Sequence, residues 1–280
     1  IPILPILRIT GALLSNMTQK LAYKAIRINK MRKQKRRRRT KENLEYAKAA
    51  AEEAFNDRPT EERFWKSLKH KDIPRKTRYT LWMMAHDAYM VGENWKRPNY
   101  APELQEQAMC KHCPGNVESI EHILTTCQCP GQKEIWELAK EILTKKGIEW
   151  RAPTLGLLLT SGMPTFKGTT GKRDIGKERL YRIIIALSIQ TIWNVRCDRV
   201  IDGLNAPFSP DRIAARWTRA VNDSLEMDCL LTRRKFGKRA LDSQLVERTW
   251  GGTLQNETQL PRHWTEVSGV LVGIGPSRIR

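Results

Sequence analysis

The chain has 280 residues, 40% of them hydrophobic and 29% charged, and a formal net charge of +20. This composition excludes wholesale disorder, and the length allows one large or two small cores that need no disulfides for bulk stability. The longest apolar run, Ile183 to Val195, is thirteen residues, short of the about twenty that a membrane span requires.

The charge is uneven. Residues 1–41 hold thirteen Lys and Arg and no acid, which leaves +7 for the other 239 residues. A basic arm on a milder body points to a polyanionic partner. The opening IPILPILRITGALL carries two prolines and no preceding basic stretch, which is not the pattern of a signal peptide. A chain that begins with Ile reads as the tail of a longer protein. Six cysteines without a secretory signal belong to a reducing, intracellular compartment, where clustered Cys and His favour metal over disulfide.

Residues 1–59 read as a basic arm with linker helices. Apolar spacing from Met17 to Ile26 predicts a first helix. In KMRKQKRRRRTK nine of twelve residues are basic, namely Lys30, Arg32, Lys33, Lys35, Arg36, Arg37, Arg38, Arg39 and Lys41. These suit a nuclear address or a phosphate-binding arm, and phosphate contacts carry no base information. Lys41–Phe55 is rich in helix formers.

Residues 60–150 read as a compact helical module, with Thr60 as the opening cap and Trp65, Trp82, Trp95 and Trp136 as large core candidates. Lys69, Lys71, Arg75 and Lys76 add positive charge near its entry. His86, amid apolar residues at helical spacing, reads as a hydrogen-bonded core histidine.

Within this module Cys110, Cys113, His122 and Cys127 stand as C-x2-C-x8-H-x4-C. Two cysteines separated by two residues reach one ion from a tight turn, here Pro114-Gly115, and a short helix over Val117–Thr126 brings up the other two ligands. Zinc takes four N or S ligands, and a closed set of four leaves no open position, so one ion here is structural rather than catalytic. A disulfide, unmetallated thiols, or a set that uses His112 or Cys129 are the competing readings.

Residues 151–176 form a connection and 177–235 a long helical hairpin. In the hairpin, Leu180, Ile184, Leu187, Ile192 and Val195 face Ile213, Trp217, Val221, Leu225 and Met227. The pairs Asp198/Asp202 and Asp223/Glu226 read as solvated helix faces. Residues 236–280 read as an irregular tail with Trp250 and Trp264 tucked onto the body. The expected fold class is therefore mainly α.

The segments FWKSLKHKDIPRKTRYTLWMMAHDAYMVGENW, CKHC, ESIEHILTTC and PGQKEIWELAKEIL resemble the zinc-binding region at the end of non-LTR retrotransposon reverse transcriptases of the type abundant in fungi. ERLYRIIIALSIQTIWNVRCDRVI and ALDSQLVERTWGGTL are similar to the tail of those polyproteins, and GALLSNMTQKLAYKAI to the segment after their ribonuclease H domain. The resemblance implies a nucleic-acid-associated module with Cys110, Cys113, His122 and Cys127 as zinc ligands. It implies RNA or DNA as partner and polymerase and ribonuclease H domains upstream, so that this chain is not itself an enzyme; with the basic stretch as nuclear address, the expected residence is nuclear or nucleocytoplasmic. Where related tails read Arg-Asn, this chain has Arg196-Cys197, which suits a decayed copy. A protein-interaction module that docks the polymerase or a host factor is the other functional expectation.

Overall fold

The computed structural model describes residues 15, 17–33, 37–168, 170–201 and 208–274. The helices in chain order are α1 (Gln19–Lys33), α2 (Arg38–Phe55), α3 (Glu61–Ser67), α4 (Arg75–Ala85), α5 (Pro102–Gln105), α6 (Gln132–Lys145), α7 (Leu155–Leu159), α8 (Ile175–Val200), α9 (Pro210–Leu231) and α10 (Ser243–Trp250). Among the described residues extended pairing is confined to isolated bridges. The fold is mainly α, and among the described residues no helix is long and apolar enough to cross a membrane.

Local chemistry explains most of the boundaries. The Thr60 hydroxyl accepts from Arg63 N at 3.3 Å, and Glu61 and Glu62 fill the first turn of α3, where the helix dipole favours acids. Asp174 caps α8 through Lys177 N at 3.0 Å. Ser209 caps α9 through Arg212 N at 3.3 Å, with Pro210 in the first turn. α2 ends on Asn56 in a left-handed conformation with φ 53°.

The basic stretch is helical on both flanks: α1 continues to Lys33, and α2 starts at Arg38 rather than Lys41. Both linker helices thus reach into the basic stretch, since Lys, Arg and Gln are good helix formers once flanking turns exist. The lead-in 1–14 and most of the hairpin turn, 202–207, lie outside the described residues.

α8 is the central element. Its 26 residues, about 39 Å of helix, bury side chains on every side rather than on one stripe, and α4, α6, α9 and α10 all pack around it. α9 presents Ile213, Trp217, Val221 and Leu225, all buried. Trp217 Nε1 donates to Ser188 Oγ at 3.0 Å across the hairpin. Met227, expected in that stripe, is 55% exposed and Leu187 is half-buried. At 3.6 residues per turn Leu225 lies about 40° round the helix from Val221, whereas Met227 lies about 160° from Leu225, on the far side.

α8 also buries cations. Arg179 and Arg182 share the Asp72 carboxylate at 3.3 and 3.1 Å, and Arg179 makes two bonds to Asp228, at 2.5 and 2.7 Å. Trp250 Nε1 donates to the same Asp228 at 2.8 Å. This network ties the α3–α4 connection, α8, α9 and α10 together. The tail contains α10, and its last described part returns by a Leu254–Val272 bridge, with Trp250 and Trp264 both buried.

Of the four expected core tryptophans, Trp136 is buried and Trp65 and Trp95 are half-buried, but Trp82 is 44% exposed. α4 turns Thr77, Thr80, Leu81, Met84 and Ala85 inward, and Trp82 falls on the opposite side.

Candidate metal centre

Residues 108–118 form a small looped knuckle. Glu118 N donates to Ala108 O at 2.8 Å, Cys110 N to Asn116 O at 2.9 Å and Asn116 N to Cys113 O at 3.0 Å. The reversal falls at Gly115, with φ 81°, a conformation an L side chain adopts only with strain. Cys110 and Cys113 thereby point their sulfurs the same way.

The second half comes from a wide helical turn, His122–Thr126, where Cys127 N bonds five residues back to His122 O at 2.8 Å. Trp136 Nε1 of α6 fixes this turn by donating to Leu124 O at 2.6 Å. Gln132 Nε2 holds Cys127 O at 3.1 Å.

The four candidate donor atoms of Cys110, Cys113, His122 and Cys127 lie within 4.8 Å of one another, and all four residues are buried. Cys127 Sγ is 3.9 Å from both Cys110 Sγ and Cys113 Sγ. Thiolates at about 2.3 Å from one ion at a tetrahedral angle stand about 3.8 Å apart, so the spacing is the one zinc needs. His122 Nδ1 is taken by Thr126 Oγ1 at 3.1 Å, while its Nε2 is buried with no hydrogen-bond partner among the described residues. An orphaned ring nitrogen facing three thiols is the arrangement of a ligand whose partner is a metal ion.

The electrostatics agree. Burial pushes the Cys127 thiol up to about 12, and the neighbouring Cys110 and Cys113 reinforce the rise. A thiol raised in this way becomes a thiolate when a bound cation supplies the compensating charge. Burial also lowers the pKa of His122, with Glu118 opposing, and so favours the neutral imidazole that ligates. The donor set of three sulfurs and one nitrogen fits zinc, and because it is closed it can hold an ion but offers no site for a reacting molecule.

Cys129 is buried against the same sulfurs but stands outside the set of four. Arg199 Nη1 of α8 donates to its Sγ, and burial raises this thiol while Arg199 opposes the rise. Arg199 is nearly fully buried, its Nε has no partner among the described residues, and it lines a cleft of about 620 Å³ with Lys111, His112 and Trp95. Sequence spacing could not find Arg199, which lies 70 residues from Cys129.

Residues 46–136 match the family model described as zinc-binding in reverse transcriptase. That segment is similar to the zinc-binding region of reverse transcriptases. The chain is also 26% identical over 149 residues to a putative ribonuclease H protein of Arabidopsis thaliana, which covers 51% of this chain and 21% of that protein. The chain thus spans about a fifth of the length of that relative. No solved structure matches it. The zinc-binding segment contains all four candidate ligands, and the cofactor is zinc.

The remaining expected residues separate into groups. Lys30, Arg37, Arg38, Arg39 and Lys41 are exposed, Lys35 and Arg36 lie outside the described residues, and so do the side chains of Arg32 and Lys33. Arg39 meets Asp87 at 3.5 Å just past the end of α4, whereas the exposed Lys69, Lys71, Arg75 and Lys76 surround its start. His86 is not a core residue: it is half-buried, bonded to Thr40 Oγ1 at 3.2 Å and stacked on Trp65. Asp198 pairs with Arg216 at 2.5 Å, and Asp223 and Glu226 are exposed.

Proposed function

We propose that this chain is a non-catalytic, zinc-stabilised part of a retroelement polyprotein that follows the ribonuclease H domain and associates with RNA or DNA through phosphate contacts. Cys110, Cys113, His122 and Cys127 are the ligands of one structural zinc in this reading. The observation that carries it is the buried, partnerless His122 Nε2 beside three thiols, inside the segment that matches the zinc-binding domain.

The nucleic-acid half of the proposal rests on charge. The exposed cations at the start of α2 and around the start of α4 belong to a chain with a net charge of +20. The closed ligand set argues for a supporting rather than a reactive ion, so polymerase and nuclease chemistry belong to other parts of the polyprotein. Residence in the nucleus and docking against the upstream domains follow from the same reading.

Two measurements test it. Metal analysis of the purified chain is expected to find one zinc, lost with helical signal on chelation. Binding to a labelled oligonucleotide is expected to weaken steeply with salt, by about 0.7 to 0.9 log units per log unit of salt for each phosphate contacted. Deletion of residues 30–41 is expected to flatten that slope. Binding that is indifferent to salt would overturn the nucleic-acid half, and helices that survive chelation unchanged would overturn the zinc half.

A further inference from the structure

We propose that the outer face of α4 is a stacking platform for unpaired nucleic-acid bases, with Tyr79 and Trp82 as the platform and the cations at the two ends of the helix as phosphate holders. The inference rests on the nucleic-acid reading above and makes it specific for single strands.

Arg75, Tyr79, Trp82 and His86 follow one another at intervals of four, three and four residues, which brings them onto one line along the helix. The opposite side, with Leu81, Met84 and Ala85, is buried. Tyr79 is 60% and Trp82 44% exposed, a large apolar outlay for a helix that has a core side available. The Trp82 ring is not loose. It leans on His86 with centroids 4.5 Å apart, and His86 stacks on Trp65 at 5.0 Å and 15°. A supported flat ring with one open face accepts a base without ordering cost of its own.

Charge selects the occupant. At the start of α4, Lys69, Lys71, Arg75 and Lys76 are exposed, and none forms an ion pair among the described residues. The acid in that segment, Asp72, turns inward to Arg179 and Arg182. At the other end lie Arg37, Arg38 and Arg39, and the nearby Asp87 is already paired with Arg39. An apolar partner helix would have to desolvate these cations, and an acidic peptide would leave the two rings without a role. A single strand uses both. The eleven residues of α4 run about 16 Å, and a stacked strand advances about 3.4 Å per nucleotide, so four or five nucleotides bridge the two basic ends.

The test uses the full zinc-loaded chain and a fluorescein-labelled oligonucleotide, offered as a single strand and as the same sequence in duplex form. Because Tyr79 and Trp82 point outward, Tyr79→Ala and Trp82→Ala are expected to keep the zinc content and helical signal of the parent. Each is expected to weaken single-strand binding about tenfold, a typical loss for one stacked base. Duplex binding and the salt slope are expected to stay as in the parent, and Tyr79→Phe to restore single-strand affinity.

Alanine variants that bind the single strand as tightly as the parent would overturn the proposal and point to a protein partner on this face, with the charge reading intact. Equal losses for strand and duplex would overturn it too. A parent chain that binds neither probe would overturn the nucleic-acid reading itself.

Discussion

The Arg196 guanidinium closes on the Glu118 carboxylate with two hydrogen bonds, at 3.3 and 2.5 Å, and both side chains are buried. Glu118 ends the knuckle, between Cys113 and the His122 of the wide turn, and Arg196 lies on α8, so this pair fastens the metal loop to the central helix. Glu118→Ala leaves a buried unpaired cation, and urea unfolding is expected to show a loss of about 3 kcal/mol or more. Zinc release to a chelator should quicken in the same variant. The double change Glu118→Leu with Arg196→Met is expected to recover much of the stability, because a buried pair is replaced as well by packed apolar groups as by its own charges.

The ligand assignment separates four residues from a fifth. Cys113→Ser and His122→Ala are expected to drop bound zinc from one per chain toward zero in metal analysis. Cys129→Ser is expected to keep it, because Cys129 stands outside the set of four. Cobalt substitution should give the absorption of a tetrahedral three-sulfur, one-nitrogen site in the parent and in Cys129→Ser alike. Loss of zinc in Cys129→Ser would reassign the ligands.

Two glycines mark places where backbones touch. A Cβ on Gly162 would lie 2.2 Å from Ser67 O, and one on Gly176 2.2 Å from Arg248 O. Neither contact can relax by a side-chain turn, since the obstacle is main chain. Gly162→Ala and Gly176→Ala are each expected to lower the thermal midpoint, at a cost of about 1 to 3 kcal/mol from overpacking.

Acid should loosen the fold before it touches most carboxylates. Burial lowers the pKa of His70 and His86 below 6.5, with Arg182 adding at His70 and Arg37 at His86. A folded value below the unfolded one means that the unfolded chain binds more protons in the window between, so stability rises with pH there. It is complete above 6.5 and is lost as pH falls from 6.5 toward the folded values. Thermal midpoints should be flat between about pH 7 and 8 and decline below about 6.5. His86→Gln should remove part of that decline.

The helices and the metal cluster were legible because their signals are local. Thr60 and the acids after it mark a helix start, and the Cys and His spacing fits one turn and one short helix. The buried cations of α8 were not legible. Arg179 finds Asp72 at a separation of 107 residues and Asp228 at 49, and Arg196 finds Glu118 at 78. An arginine beside an apolar run looks solvated until its distant acid is known. Trp82 misled for the opposite reason: a large ring at helical spacing reads as core, and only the packing of Leu81 and Met84 shows that α4 turns it outward.

The wrapping of α8 by its neighbours has a practical side for anyone who cuts this gene. The zinc-binding segment stops at residue 136, yet its α4 and its wide His122–Thr126 turn rest on α8, as does α6, which begins just before that limit. A fragment trimmed to the matched residues would expose Leu81, Met84 and Leu124 to water and leave Glu118 and Asp72 without their arginines. Such a piece is expected to need a solubilising fusion or to precipitate, whereas a boundary beyond Val272 keeps every one of these partners on the same polypeptide.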